Sequence, residues 1–565
     1  MFLETSVLYA YQNTSFISST EQLRSFLSYG GGILEYAGLF FTDMLKFNGA
    51  GAMLFSIFTI AAVFLYKRYL VKINLNENLL LLSALIPFIF LATLTYNFNH
   101  PIAINLKLLT GLLSLNILIS LPNRKITDRI ILFIILIATW YICGLPFFII
   151  VLSCFAIYTI TNKTFKYNLI VFLLSATTIY LLNLLVFYRP VEITFQEIID
   201  YQSQIPYLLL YTYLLFIFIP LATFLKYKIS VNSIIQFLVI LIIGFLLGYK
   251  SYNEENHIIG RIMFAGNEND INEVLTIRKN THVNSRIVSN YTNVALLKKG
   301  LLLDQMFSYN QGFGKFGVFP SIEFDYYNAF SNMKLCFDLG LINQSIRWAS
   351  ESAVKFGYNF EILKYLVLNY MVIDNRKAAD KYYSILNKTL FNKEEKRKIR
   401  RLFEGYINNE PGQLILEKRK LIPENDFFLS PNETEKHNFA SIIKENKNSK
   451  VLELYIALCL TDNELESVKD VIRHFKELGY KKLPIHIQEA LCLIYPENPE
   501  IAGLYGFEID KNIREESIMF VRTMRKYDNN IQAARDAAKS ELSRNYGSTY
   551  WYYLTYISPK TLSGL

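Results

Sequence analysis

The stretch Val231 to Tyr249, VNSIIQFLVILIIGFLLGY, constrains this chain more than any other. Its nineteen residues carry no charge, enough for a helix to cross roughly 30 Å of hydrocarbon. From Lys250 onward charged residues become frequent and no comparable apolar run recurs. The chain is therefore read as a membrane half followed by a soluble half. Composition agrees, because 52% hydrophobic and 19% charged residues over a length of 565 are too apolar for one ordinary soluble protein. The net charge of +9 divides into +6 up to Lys250 and +3 beyond it. A nearly balanced tail is not a nucleic-acid footprint, so no nucleic-acid partner is expected.

The expected fold is all-α: a polytopic transmembrane bundle followed by a soluble tetratricopeptide-like repeat domain. Residues 1–46 read as an outer-face leader with two amphipathic helical patterns, TEQLRSFLSY and ILEYAGLFFTDML, broken at Gly30-Gly31-Gly32. Residues 47–250 hold eight apolar segments: Phe47 to Tyr66, Asn78 to Tyr96, Ala103 to Leu121, Ile130 to Ile142, Pro146 to Ile160, Tyr167 to Phe187, Pro206 to Leu225 and Val231 to Tyr249. The fourth and fifth flank Cys143-Gly144-Leu145-Pro146 and read either as two spans or as one broken or re-entrant element. Lys67, Arg68, Lys72, Arg124, Lys125, Arg129, Lys163, Lys166, Lys226 and Lys228 fall in alternate loops, whereas the intervening segments hold only Arg24, Lys46 and Arg189. The excess of cations on one side places those loops in the cytoplasm, and the leader and tail outside it. A leader exported without a signal peptide implies an apolar helix upstream of Met1.

Residues 251–565 read as helices joined by short turns, with almost no alternating strand pattern. Cys336, Gly340 and Ser345 are followed 34 residues later by Tyr370, Asp374 and Ala379, the tetratricopeptide period. In such a unit a turn-forming residue ends the first helix and a small residue lets the second pack closely. Gly300 marks an earlier unit, and the aromatic TYWYYLTY near the end is expected to cover the end of the stack.

Several of these residues carry a resemblance. The leader with Gly31-Gly32, Glu35-Tyr36 and Phe40, the many apolar segments, Asn290-Tyr291, Asn293, Ala295-Leu296, Lys298, Gly300, Met306-Phe307, Gly340, Arg347-Trp348-Ala349 and Lys388-Thr389-Leu390-Phe391 resemble an uncharacterised domain-of-unknown-function family. The resemblance implies an inner-membrane protein of Gram-negative bacteria with a polytopic first half and an extracytoplasmic, tetratricopeptide-like tail. Its motifs are structural, so it implies no activity.

No sequence motif specifies catalysis. Gly312-Phe313-Gly314-Lys315-Phe316-Gly317 matches G-x-G-x-x-G, but it lacks the preceding strand and following helix of a dinucleotide site and reads as an inter-repeat loop. The six histidines never fall at ligand spacing with a second His or a Cys, and neither a metal nor a cofactor is expected. The cysteines read as small buried hydrophobes, and the basic run Lys396, Arg397, Lys398, Arg400 and Arg401 as a solvated helix face. The outer membrane face is the place for chemistry. Glu35 and Asp43 are the candidate catalytic carboxylates, and His100, Lys107 and Arg189 the candidate substrate-binding groups. Two functions compete. One is a membrane-anchored scaffold that binds a partner protein through the helical repeats. The other is an enzyme resembling polytopic glycosyltransferases, with a carboxylate as base or metal ligand and the cations on the diphosphate of a polyprenyl-linked sugar donor.

Overall fold

The computed structural model describes residues 4–11, 14–95, 100–121, 125–187, 208–225, 232–320, 323, 325–425, 435–445, 447–495, 505–527 and 532–559. Among them the ordered elements are helices, and the only strand-like pairing is an isolated antiparallel bridge between Ile17 and Thr389. The chain divides into two compact units, residues 1–260 with Lys388–Phe391, and residues 261–387 with 392–565.

The first unit contains α1 (Thr5–Ala10), α2 (Thr20–Leu27), α3 (Gly32–Met44), α4 (Asn48–Lys72), α5 (Leu80–Leu94), α6 (Ile102–Leu118), α7 (Ile126–Cys143), α8 (Leu145–Thr161), α9 (Phe165–Leu185), α10 (Leu208–Leu221) and α11 (Ser233–Ser251). Four of these, α4, α7, α9 and α11, are long and apolar enough to cross a membrane. The helices α5, α6, α8 and α10 are apolar but shorter. One residue, Gly144 with φ 85°, separates α7 from α8, so the proline-glycine break forms two helices of 18 and 17 residues. Helix α6 is the centre of the unit and packs on α3, α4, α7 and α8. Its Leu108, Leu112 and Leu115 are buried with Tyr66, Tyr69, Leu136, Trp140, Val151 and Phe155. Polar tips inside this core find carbonyl partners: Tyr69 donates to Cys154 O at 2.8 Å, and Asn116 to Leu65 O at 3.0 Å. On α9 and α11 the opposite faces stay exposed and apolar, as Ile170, Leu173, Leu184, Leu238, Phe245 and Leu246 show. Surface of that kind is stable against hydrocarbon and costly against water.

This unit runs past Lys250 to Gly260 for a steric reason. A Cβ at Gly260 would lie 2.4 Å from the Val7 side chain, so only glycine lets α1 seat there. Tyr11 Oη also donates to Asn256 O at 2.6 Å.

The second unit completes α12 (Glu254–Asn267) and continues with α13 (Ile271–Lys279), α14 (Arg286–Lys299), α15 (Tyr326–Leu339), α16 (Ile342–Phe356), α17 (Phe360–Val372), α18 (Arg376–Asn387) and α19 (Lys393–Ile407), followed by further helices to Tyr556. From α15 to α18 each helix packs against the next. One turn recurs. Gly340 and Asp374 both have positive φ, 81° and 58°, and each is followed by the same kind of hydrogen bond: Leu341 N–H to Cys336 O at 2.8 Å after the first, and Asn375 N–H to Tyr370 O at 2.9 Å after the second. The six-to-one bond after a left-handed residue is the Schellman stop, which satisfies the last carbonyls of a helix and reverses the chain. Gly300, Asn409, Asn463 and Gly479 repeat it. The partner positions Ser345 and Ala379 are fully buried, and Ser345 Oγ joins α15 to α17 by donating to Met333 O and accepting from Asn369 Nδ2, both at 2.8 Å. The glycine-rich run, expected as a loop, ends in one helical turn, Lys315–Val318, which is pinned to α14, with Asn290 Nδ2 donating to Phe316 O and Asn293 Nδ2 to Gly317 O. At the end of the chain Trp551 donates to Glu489 O, and the rings of Tyr550, Trp551 and Tyr553 are buried. All five cysteines are buried and free.

Candidate functional site

The three leader glycines explain how α3 meets the bundle. A Cβ on Gly30 would lie 3.1 Å from the Trp140 ring, and one on Gly31 3.0 Å from Gly144 Cα and 3.2 Å from Lys107 Nζ. On Gly32 it would lie 1.9 Å from Phe26 O. Gly31 has φ 91° and donates its N–H to Tyr141 O at 2.7 Å, while Tyr141 Oη donates back to Leu27 O at 3.0 Å. Backbone thus packs on backbone where the leader turns, which no side chain would permit.

That contact delivers Glu35 to Lys107. Lys107 Nζ lies 2.5 Å from Glu35 Oε1, with side-chain exposures of 11% and 29%. Glu35 Oε2 accepts a short hydrogen bond from Tyr29 Oη. Both oxygens of Glu35 are therefore engaged, one by a cation rooted in α6 and one by the leader's own tyrosine. Lysine within an apolar helix is costly unless paired, and here it is paired.

The other candidates have separate surroundings. Asp43 is buried, and its Oδ2 accepts the Phe16 N–H at 3.1 Å. Burial pushes its carboxyl from the ordinary 3.8 up to about 7, against the opposing pull of the Phe16 hydrogen bond and Lys46. Asp43 thereby fixes Ser15–Ile17, the segment that bridges Thr389, and Ser18 N–H donates to Lys388 O at 3.0 Å. His100 is buried in the turn leading into α6, where its Nε2 shares a 3.0 Å hydrogen bond with Asn105 Oδ1. Arg189 lies outside the described residues, as do the basic-loop residues Arg124, Lys226 and Lys228. Of the five sequence candidates the fold joins Glu35 and Lys107. Sequence reasoning missed Tyr29, although its place six residues before Glu35 across a glycine turn could have signalled it.

The second unit presents a cleft lined by Ile271, Val274, Tyr291, Val294, Ala295 and Leu335, with Asn269, Asn290, Lys298 and Lys334 among its polar groups. Its walls are braced by charge. Lys298 pairs with Asp338 at 3.0 Å, and Glu361 lies 3.2 Å from Lys334 and 3.0 Å from Lys364. Burial alone would raise the Glu361 carboxyl, but Lys364 and Lys334 bring it down to about 2. Gly266 belongs to the same wall because the Tyr291 ring would lie 2.4 Å from any Cβ there. Chemically the cleft suits an apolar anchor flanked by hydrogen-bond acceptors. Among the described residues no three His, Cys, Asp or Glu side chains converge as a metal site.

A family model described as "Family of unknown function (DUF6057)" matches residues 1–557. No curated protein and no solved structure matches the chain.

Proposed function

Because the chain belongs to that family of unknown function, which carries no activity to transfer, we propose a role from its own geometry. The protein is a membrane-anchored scaffold whose tetratricopeptide-like array presents a protein-binding surface on the outer face of a bacterial inner membrane. All eight apolar segments serve as spans, the shorter ones covered by their neighbours. The ten-to-three distribution of loop cations orients the leader and the array away from the cytoplasm.

The observation that carries this reading is the recurring Schellman stop, which stacks helix pairs of the second unit and leaves a cleft with an apolar floor and braced cationic walls. The Glu35–Lys107 pair supports it from the other side, because a carboxylate with both oxygens engaged acts as a fastener of the leader. A second reading has one observation in its favour. Burial raises the Asp43 carboxyl in the leader to about 7, the range suited to the carboxylate base of a polytopic glycosyltransferase of a polyprenyl-linked sugar.

Purification of the full chain after mild crosslinking in cells separates the two. The scaffold predicts a stoichiometric protein partner, retained by Glu35→Gln and lost on Ile271→Glu or Val294→Glu in the cleft. A co-purifying prenyl-phosphate lipid with no protein partner contradicts it. Orientation is checked by reporters, which should be active outside the cytoplasm when fused after Lys250 and inside when fused near Lys125.

A further inference from the structure

Near its end the second unit has a small core of its own, built from the helices Ile485–Ile494, Lys511–Lys526 and Tyr550–Tyr556. Cys492, Phe520 and Trp551 are buried in it, with the Phe520 and Trp551 rings 6.0 Å apart. Their packing does not close. Beside them lies a cavity of about 350 Å³, which Ile518, Met524 and Leu554 also line. Small-molecule sites typically span about 300–1,000 Å³, so this one has room for a single apolar chain. Ile518 and Met524 are 45% and 37% exposed at its edge, which leaves the cavity open to a ligand.

The charge in the lining has one sign. Arg522 and Arg525 carry it, three positions apart and therefore on one side of their helix, about 4.5 Å apart along its axis. Both are exposed, and neither guanidinium has a hydrogen-bond or ion-pair partner among the described residues. The neighbouring carboxylates are out of reach or engaged. Glu515 is two turns before Arg522, about 10 Å along the axis, and Glu516 falls on the opposite side of the helix from Arg525. Glu489 is buried, where it shares a hydrogen bond with His486 Nδ1 and accepts the Tyr550 N–H, both at 2.8 Å, and Glu541 accepts from Tyr527 Oη. The other polar groups of the lining are engaged as well: Thr555 Oγ1 donates to Trp551 O and Trp551 Nε1 to Glu489 O, both at 2.8 Å, and Ser517 is turned to the Cys492 thiol. What is left is a pair of guanidinium forks, the donor geometry that matches a carboxylate. Like charges one turn apart repel until an anion joins them.

We propose that this cavity binds a carboxylate carried on a single unbranched apolar chain, with the chain against Phe520 and Trp551 and the carboxylate between Arg522 and Arg525. The site lies within the second unit and draws on no residue of the partner-binding cleft.

Cys492 reports on the cavity directly, because it lines the space and is 8% exposed, whereas the other four cysteines are fully buried. Burial raises its thiol above the usual range, against the pull of Ser517 and Arg514, so the reaction is run in mildly alkaline buffer. The full chain in phosphatidylcholine nanodiscs is treated with methyl methanethiosulfonate, a small uncharged thiol reagent, and each cysteine is followed by mass spectrometry. Decanoate at about ten times its dissociation constant should slow modification of Cys492 roughly tenfold. From hexanoate upward protection should tighten about fourfold per methylene, then stop tightening once the cavity is full. Decanol on the wild type, and decanoate on the variant Arg522→Gln, Arg525→Gln, should each need roughly tenfold more ligand, and Arg522→Lys, Arg525→Lys should regain part of the protection. Unreacted Cys336 and Cys459 show that each variant stays folded. A Cys492 that does not react in the free chain overturns the open cavity. Equal protection by decanol, or undiminished protection of the glutamine variant, overturns the carboxylate site, as does tightening that continues with chain length, the signature of partition into the bilayer. Stronger protection by decyl phosphate than by decanoate overturns the carboxylate as the head group.

Discussion

Replacing Glu35 by Gln removes the charge facing Lys107 while leaving an oxygen for the Tyr29 hydroxyl, so it isolates the ion pair from the rest of the leader contact. With 11% of its side chain exposed, Lys107 would lie beside the Gly31 backbone without the carboxylate that faces it. A half-desolvated pair of this kind is worth about 1–3 kcal/mol, between the small value of an exposed bridge and the larger value of a fully buried one. Local opening of α3 should become easier by that amount, which corresponds to roughly 5- to 150-fold faster hydrogen exchange of its amides. Lys107→Met alone should cost less, because Glu35 retains 29% exposure and water reaches it. In the double variant the second change should restore part of the loss, giving a coupling of about 1–2 kcal/mol in the cycle. The assay is exchange of residues 32–44 in detergent for the wild type, each single variant and the double variant. Strictly additive effects, or an unaltered α3 in Glu35→Gln, would refute the fastener argument.

Three further outcomes follow from the same geometry. Gly31→Ala forces an alanine to φ 91° with its Cβ 3.0 Å from Gly144 Cα, so it should cost about 2 kcal/mol or more and release α3 by the same exchange readout. The Asp43 carboxyl has its folded-state value raised from 3.8 to about 7, so its stabilising contribution is fully present below pH 3.8 and is lost as pH rises through 7. The span of the loss is on the order of 4 kcal/mol, and the melting temperature of the wild type should therefore fall between about pH 4 and 7 while that of Asp43→Asn, which keeps an acceptor for Phe16, should not. Glu361 is shifted the other way, from 4.5 to about 2, so its contribution is present above pH 4.5 and lost as pH falls through 2. Glu361→Gln at pH 7 should cost about 3 kcal/mol and speed exchange in α15 and α17, since Lys334 then loses its carboxylate partner and Lys364 keeps only Glu395, at 3.6 Å.

The turns were the most legible part of this chain. The spacing of 34 from Gly340 to Asp374 corresponds to one backbone event, a left-handed residue followed by a six-to-one hydrogen bond, and local chemistry of that sort is written in neighbouring residues. Apolar runs marked the bundle helices for the same reason, though not that α7 and α8 would part at a single glycine. The Glu35–Lys107 pair could be anticipated only as one of several pairings, because 72 residues separate the two and depth in the membrane was the sole guide. The assignment of Lys388–Phe391 to the first unit was invisible. A bridge between Ile17 and Thr389 links positions with no shared periodicity, and nothing local to KTLF distinguishes a loop of the helical array from a strand-like partner of the leader.

The central claim is that the cleft formed by α13, α14 and α15 receives a partner protein, and in-cell photo-crosslinking tests it most directly. A photoreactive residue placed at Ile271 or Val294, which line the cleft, should give one discrete higher-mass species. The same residue at the exposed Asp380 on α18 should give none. Crosslinking that is absent at the cleft, or equal at all three positions, would contradict the scaffold.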